Sequence, residues 1–242
     1  LKPADGSPIT LPNKEMALGV YYLTTINEDA RREQLPAFAH TKEAFLAYDL
    51  GKIVLREPVL VKIDNKTIET TLGRLMFNER LLEGMTFINE PIKASSIKKI
   101  ITKALEIYTS DEVAELIDSI KNLGFRGATV SGISVSVFDN DMIAGKDKMI
   151  ADAEKRVTKI EDEYQKGLIT LDEKKRLKNN VWLETTDKMA DMTWNNLKPT
   201  NITKFIIDSE GARAGKEQLK QLSAMRGLIL DPLGKIVELP IK

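Results

Sequence analysis

Apolar positions along the chain follow three rhythms, and each predicts a different kind of element. The commonest is a return every three or four residues, the signature of a helix with one buried face. From about Lys14 to Leu23, Met16, Val20 and Leu23 share one side, and Asn13 stands where a cap belongs. Thr41 is placed to cap a second short helix carrying Ala44, Phe45, Ala47 and Tyr48, with Gly51 just beyond its end. From Ser95 the stripe Ile97, Ile100, Ile101, Ala104, Leu105 and Tyr108 continues, after Ser110, as Val113, Leu116, Ile117 and Ile120. Gly124 then closes the second of these helices.

The second rhythm is alternation, which predicts strands with one buried face. Ile53, Leu55, Val59, Val61 and Ile63 alternate with polar neighbours apart from a break around Pro58. Asp64-Asn-Lys66 turns the chain into a second run from Thr67 to Arg74, so the pair reads as a hairpin. Leu75, Met76 and Phe77 extend its second strand towards a turn at Glu83-Gly84. Val130 to Val137, where serine alternates with isoleucine or valine, predicts a further strand ending at Asp139-Asn-Asp141. Ile202 to Ile207 is a short apolar run, and a turn over Asp231–Gly234 leads to a last strand from Lys235 to Pro240. Short helices mixed with antiparallel strands make this an α+β chain.

The third rhythm occupies residues 146–197. Ile150, Ala153, Val157, Ile160 and Tyr164 follow one another at intervals of 3, 4, 3 and 4, a coiled-coil seam. Lys166-Gly167 breaks the helix, and Thr170-Leu-Asp-Glu173 restarts it as a capping box. The return helix uses Leu171, Leu177, Val181, Met189 and Met192 before Pro199 ends it. This is an antiparallel helical hairpin with its tip at about 166–170. Arms of this length reach roughly 30–37 Å at ~1.5 Å per residue. Such a hairpin either presents its tip to a partner or packs on its own domain.

Composition narrows the chemistry. The 242 residues are 42% hydrophobic and 30% charged, enough for real cores in one large domain or two small ones. Lys+Arg and Asp+Glu balance at 36 each, so no overall attraction to nucleic acid or membrane follows. The absence of cysteine excludes disulfides, thiolate metal sites and thiol nucleophiles. A lone histidine, His40, reads as a surface residue, and a hydrolase lacks its nucleophile–base pair. Asp139-Asn-Asp141 lacks the alternate ligands, central glycine and distal glutamate of a calcium loop, so it reads as a turn. No apolar run approaches the ~20 residues that span a bilayer. The start at Leu1, in a turn-like Lys-Pro-Ala-Asp-Gly-Ser-Pro, is expected of a piece of something longer, and the chain is expected to be cytosolic.

One stretch carries candidate binding chemistry: Glu210 to Leu228. Gly211 and Gly215 bracket Arg213, and a helical pattern follows with Leu219, Leu222 and Met225 on one flank. Unpaired N–H groups at a helix start favour an anion, and an arginine beside them adds a planar fork suited to phosphate. The plainer reading is a loop, a packed helix and a solvated arginine.

Short motifs run in order along essentially the whole chain. They are Leu1-Lys-Pro-Ala-Asp-Gly-Ser-Pro-Ile9, Met16-Ala-Leu-Gly-Val-Tyr-Tyr-Leu-Thr24, Thr70-Thr-Leu-Gly-Arg-Leu-Met-Phe-Asn-Glu79 and Ile120-Lys-Asn-Leu-Gly-Phe125. Ser131-Gly-Ile-Ser134, Tyr164-Gln-Lys-Gly-Leu-Ile-Thr170, Gly211-Ala-Arg213, Gln221-Leu222 and Met225-Arg-Gly-Leu228 follow. Together they resemble the β′ subunits of bacterial DNA-directed RNA polymerase.

The resemblance implies that residues 1–140 form a pore domain and 141–242 a funnel domain, lining the secondary channel of a nucleotidyltransferase. The hairpin at 146–197 would be its funnel helices, where transcript-cleavage and related regulatory factors dock, with Lys166 and Leu168 at the tip. The loop at about 221–240 would brace the bridge helix and trigger loop. Arg213 would approach the triphosphate of the incoming nucleotide, supported by Lys220, Gln221 and Arg226, the last holding the loop. The implied partners are the β, α and ω subunits, the remainder of β′, NTP, template DNA and RNA, in the bacterial cytoplasm and nucleoid, with no membrane. The family's Asn-Ala-Asp-Phe-Asp-Gly-Asp motif, which holds Mg²⁺, is absent from the chain. The chain is therefore expected to supply no catalytic residue, metal ligand or cofactor site and to be inactive alone. Departures fall at Glu210, Ala214, Lys220 and Ala224, where the family usually has Ser, Gly, Arg and Gly. Glu210 is placed to compete for Arg213, and Lys220 lacks bidentate geometry.

Overall fold

The computed structural model describes residues 2–4, 6–140, 142–211, 214–237 and 240–241. These fall into two compact units, 2–133 together with 208–211, and 134–207 together with 214–241. A division made by sequence order alone does not anticipate the return of 208–211 to the first unit.

The first unit is α+β. Its helices are α1 (Glu15–Thr24), α2 (Thr41–Asp49), α3 (Leu72–Asn78), α4 (Ala94–Ile107) and α5 (Ser110–Ser131). Its strands are β1 (Ala37–Phe38), β2 (Pro58–Ile63) and β3 (Lys66–Thr71), in the order β1-β2-β3. β2 and β3 form the expected hairpin, Pro58 opposite Thr71 and Ile63 opposite Lys66. Asp64 and Asn65 both take positive φ, at 48° and 63°, the geometry of the two-residue turn that matches strand twist. β1 adds a short parallel edge, Ala37 opposite Leu60. Beneath the sheet Ile53, Val59, Val61, Leu72 and Leu75 close a small core with Ala44.

Leu75, Met76 and Phe77 are helical, not strand. Thr71 caps α3, its hydroxyl accepting from the Arg74 N–H at 3.3 Å, and this bond diverts the chain out of β3. Nor does Asn13 or Thr41 cap a helix. The N-cap of α1 is Lys14, at φ 54°, and that of α2 is the exposed His40; neither makes a side-chain cap bond. Gly51 does stand beyond α2 at φ 68°. Its N–H bonds to Tyr48 O while that of Lys52 bonds to Ala47 O, a Schellman end.

The largest correction concerns α5. It begins at a capping box between Thr109 and Glu112 and runs through Gly124 to Ser131, with Gly132 at φ 56° as its cap. Residues predicted as a strand from Val130 are thus helix as far as Ser131. The remainder carries no strand, only a 3₁₀ turn over Val137–Asp139. Gly124 and Gly127 are contact points, not terminators. A Cβ on Gly124 would lie 2.3 Å from Met16 O, one on Gly127 2.5 Å from Gly19 O, and one on Gly19 1.8 Å from Gly124 O. Small residues on both helices let α1 and α5 approach backbone to backbone. Around that crossing Val20, Leu23, Ile97, Ile101, Leu116 and Ile120 form the main core.

The second unit is built on α6 (Lys146–Gln165) and α7 (Leu171–Asn196), followed by α8 (Ile202–Asp208) and the single turn α9 (Lys216–Leu219). Arg156 pairs with Glu184, and Glu161 with Lys174 and Lys178, so the two arms run antiparallel. On the leading arm Ala153 is buried, and Ile150, Val157 and Ile160 pack beside it. The return arm departs from the expected seam. Val181 and Met189 are buried as expected, but Leu171 and Met192 are exposed, and Trp182, Thr185, Thr186 and Thr193 join the buried face. The threonines are tolerated inside because each hydroxyl donates to the carbonyl four residues back, at 2.7, 2.7 and 2.8 Å.

Past α9 the chain closes on itself in a narrow loop. Gly227 and Ile241 exchange backbone bonds of 3.0 and 2.9 Å, and Leu230 bridges Ile236. The Asp231 carboxylate accepts from the N–H groups of Leu233 and Lys235, fixing the expected turn. The strand expected from Lys235 to Pro240 is reduced to these isolated bridges, and Glu238 and Leu239 lie outside the described residues.

Candidate functional site

The stretch from Ser209 to Leu228 is held at both ends. In the first unit Ser209 and Glu210 cap α4. The Ser209 carbonyl accepts from the Ala94 N–H at 3.1 Å, and the Glu210 carboxylate takes hydrogen bonds from Ser95. Those bonds from Ser95, helped by the Lys93 ammonium 3.5 Å away, hold the Glu210 carboxyl below the usual carboxylate range. Glu210 itself takes a positive φ of 57° to make the turn. Gly211 then rests against α1, where a Cβ would come within 2.3 Å of Ala17 Cβ. Position 211 requires glycine for that close approach.

Arg213 and Ala212 lie outside the described residues. The Glu210 carboxylate, expected to compete for Arg213, bonds to Ser95 and lies near Lys93 at the start of α4.

In the second unit the chain is described again from Ala214. α9 is only four residues long and passes directly into a π-helical turn over Lys220–Ala224. One turn of aligned peptides offers little dipole, so α9 by itself is a weak anion site. The expected stripe also splits: Leu219 and Met225 are buried, whereas the π turn rotates Leu222 outward, 72% exposed.

Lys220 is largely buried, its side chain 16% exposed, with the ammonium 2.9 Å from Glu217 and 3.8 Å from Asp187 on α7. Gln221 and Arg226 are exposed. Sequence reading passed over Trp194, which lies beneath this loop. The Lys216 ammonium stands 4.4 Å from its ring centroid and that of Lys204 5.3 Å. Only the tryptophan among the helical pattern of α7 hinted at this.

At the hairpin tip, Gly167 takes φ 73° and Leu168 N–H bonds back to Glu163 O, ending α6 in a second Schellman motif. Lys166 and Leu168 are both exposed, Leu168 by 70%. Thr170 caps α7 as expected, accepting from the Glu173 N–H at 3.2 Å. The box is left open, however, because the Glu173 carboxylate turns to Arg176 at 2.6 Å. The apolar cluster of the hairpin base reaches as far as Ile160. Beyond it the arms are tied by charge: Glu161 receives Lys174 and Lys178, and Lys174 also lies 4.2 Å from the Tyr164 centroid. Hydrogen bonds from the two lysines, Lys174 foremost, lower the Glu161 carboxyl below its ordinary value.

Among the described residues no three His, Cys, Asp or Glu side chains come together as metal ligands, and no helix is long and apolar enough to cross a membrane.

Residues 1–140 match the family described as RNA polymerase Rpb1, domain 3. A relative in Thermosipho melanesiensis named "DNA-directed RNA polymerase subunit beta'" is 37% identical over 247 residues, covering 100% of this chain and 15% of its own. Proteins of the same name in Desulforudis audaxviator and Clostridium acetobutylicum are 38% and 37% identical, again over all of this chain, and over 21% and 22% of theirs. The chain thus spans between 15% and 22% of the length of these curated relatives.

Proposed function

Because the chain belongs to the family of DNA-directed RNA polymerase β′ subunits, we propose that it serves in transcription as one wall of the channel that admits nucleotides to the active centre. The observation that carries this reading is similarity to β′ subunits along the entire chain, not in one motif. In this reading residues 1–140 are the pore and 141–242 the funnel, assembled with the other subunits and the rest of β′. The chain's part is positioning and electrostatics.

Arg213 is the residue to which we assign the triphosphate of the incoming nucleotide. Phosphate charge shifts during nucleotidyl transfer, and a guanidinium aimed at it stabilises the transition state. The capture of Glu210 by Ser95 and Lys93 supports this role by occupying the nearest carboxylate in sequence. Lys220, held by Glu217 and Asp187, supports the loop, not the substrate. Arg213→Ala in the assembled polymerase is expected to cost on the order of 2–4 kcal/mol of transition-state stabilisation, about 30- to 1,000-fold in rate. Single-nucleotide addition by rapid quench measures it. A variant with wild-type rate and nucleotide dependence would end the assignment.

A second reading is favoured by the hairpin tip: α6 and α7 form a docking module for transcript-cleavage or other regulatory factors. The exposed Leu168 on a glycine-ended turn supports it, as does a distal half held together by charge. Lys166→Glu combined with Leu168→Ser leaves the capping Thr170 intact and is expected to weaken binding of a cleavage factor to the polymerase by about tenfold, the cost of one anchor. Unchanged affinity in a fluorescence titration would remove the tip from the interface.

A further inference from the structure

A surface groove of about 230 Å³ opens in the first unit among α2, the end of α3 and the outer face of α5. Arg80 and Arg126 both line it, with the Ser119 hydroxyl and the Asn122 amide beside them. Among the described residues neither guanidinium has a hydrogen-bond or ion-pair partner, although the Glu79 carboxylate lines the same groove. Two planar, permanently charged forks in one concavity, with neutral donors between them, are suited to a carboxylate or a phosphate. The remaining wall is apolar, contributed by Phe45 and Met76.

Size and lining choose between the two ligands. The groove is smaller than the ~300 Å³ at which pockets begin to bury a drug-sized ligand, which sets nucleotides aside. A free phosphate has no use for the phenyl and thioether wall. Leu46 and Phe125, on the bordering helices α2 and α5, are 59% and 48% exposed, as apolar residues are at protein interfaces. We propose that this groove docks an acidic peptide segment of a partner protein, its carboxylate taken by Arg80 and Arg126 and a neighbouring apolar side chain laid on Phe45 and Met76. The groove uses neither Arg213 nor the hairpin tip, and the inference does not rest on their roles.

The test uses the whole chain and three probes: a labelled Gly-Asp-Leu-Asp-Gly peptide, its Gly-Asn-Leu-Asn-Gly counterpart, and inorganic phosphate. Anisotropy gives the affinities, and the arginine Nε–H resonances give the place. The acidic peptide is expected to shift the Arg80 and Arg126 resonances saturably, and the amide peptide to leave them still. Arg80→Ala and Arg126→Ala should each weaken binding about tenfold, the loss of one charge-assisted contact. Both side chains are exposed, so the variants are expected to fold, which circular dichroism checks. Glu79→Gln should tighten binding by removing the groove's own carboxylate. The proposal is overturned if the amide peptide binds as well, or if phosphate binds more tightly than the peptide. It is equally overturned if the arginine variants or Glu79→Gln leave the affinity unchanged, or if no probe binds.

Discussion

Gly19→Val is expected to unfold the first unit at moderate denaturant, lowering its stability by about 4–5 kcal/mol, the upper end of what core substitutions cost. At this position even the first added carbon would lie 1.8 Å from Gly124 O and 2.5 Å from Ala128 N. Both obstacles are helix backbone, so no rotamer of a neighbour relieves the clash. The helices α1 and α5 must separate instead, and every apolar contact across the crossing loosens with them. Helix propensity argues the other way, since alanine is favoured over glycine by up to ~1 kcal/mol in a helix interior. Gly19→Ala is therefore the sharper test: packing predicts a net loss of about 3 kcal/mol and propensity a gain. Urea denaturation followed by circular dichroism reads the sign directly. Glu115→Ala, on the exposed side of α5, is the control and should stay within ~0.5 kcal/mol of wild type. A neutral Gly19→Ala would mean that the two backbones do not meet as described.

The same glycines show where sequence reading loses its grip. Hydrophobic spacing placed α1, α4 and the start of α5 because one buried face leaves a 3.6-residue trace. It ended α5 at Gly124 because a glycine after an apolar stripe has two meanings that spacing cannot separate: a helix end, or a point of close approach. Only a partner helix decides, and here the partner is more than a hundred residues away in the chain. Leu75-Met-Phe77 failed for a related reason. Three consecutive apolar residues fit a strand or a buried helical turn equally well, and the Thr71 cap that settles the matter is a single hydrogen bond. On the return arm of the hairpin, threonine looks polar in a pattern and behaves as a core residue once its hydroxyl is spent on its own helix.

Legibility of the candidate site was likewise uneven. Gly211, Arg213 and Gly215 were conspicuous as residue types, and so was the hairpin tip at Lys166-Gly167-Leu168. The contacts of Glu210 left no sequence trace because its partners, Lys93 and Ser95, are distant in sequence and belong to the start of another helix. The Arg80 and Arg126 groove left no sequence trace, since the two arginines come from separate elements and neither sits in a motif. Chemistry gathered by folding is legible only after the fold.

Arg74 shows how a conspicuous arginine can be structural. Its side chain is buried, 5% exposed, and burial pushes the guanidinium pKa below its ordinary value, offset in part by Glu69 and Glu90. A buried cation invites assignment to a phosphate, but here Nε and one terminal nitrogen of the guanidinium are spent on the protein. Nε donates to Thr24 O at 2.8 Å, and one terminal nitrogen donates to Asn89 O and Oδ1 at 2.9 and 3.0 Å. Asn89 in turn donates to Glu69 O, while Asn78 bonds both to Arg74 O and to Ile88. The result ties the end of α1, the start of α3 and the irregular segment before α4 into one network. Arg74→Met keeps much of the volume and removes the charge, leaving three acceptors without their donor. At ~1–3 kcal/mol for each unsatisfied group, less the relief of not burying a cation, the expected loss is about 3–5 kcal/mol. Arg74→Lys should fall between, since one ammonium cannot reach both Thr24 and Asn89 in the geometry of a planar fork. Amide exchange distinguishes this from a general weakening. Protection should be lost first at Ile88 and Ile92, whose N–H groups bond to Asn78 and Thr24 within the network. Unaltered exchange there, with stability within ~1 kcal/mol of wild type, would return Arg74 to the set of arginines available for a ligand.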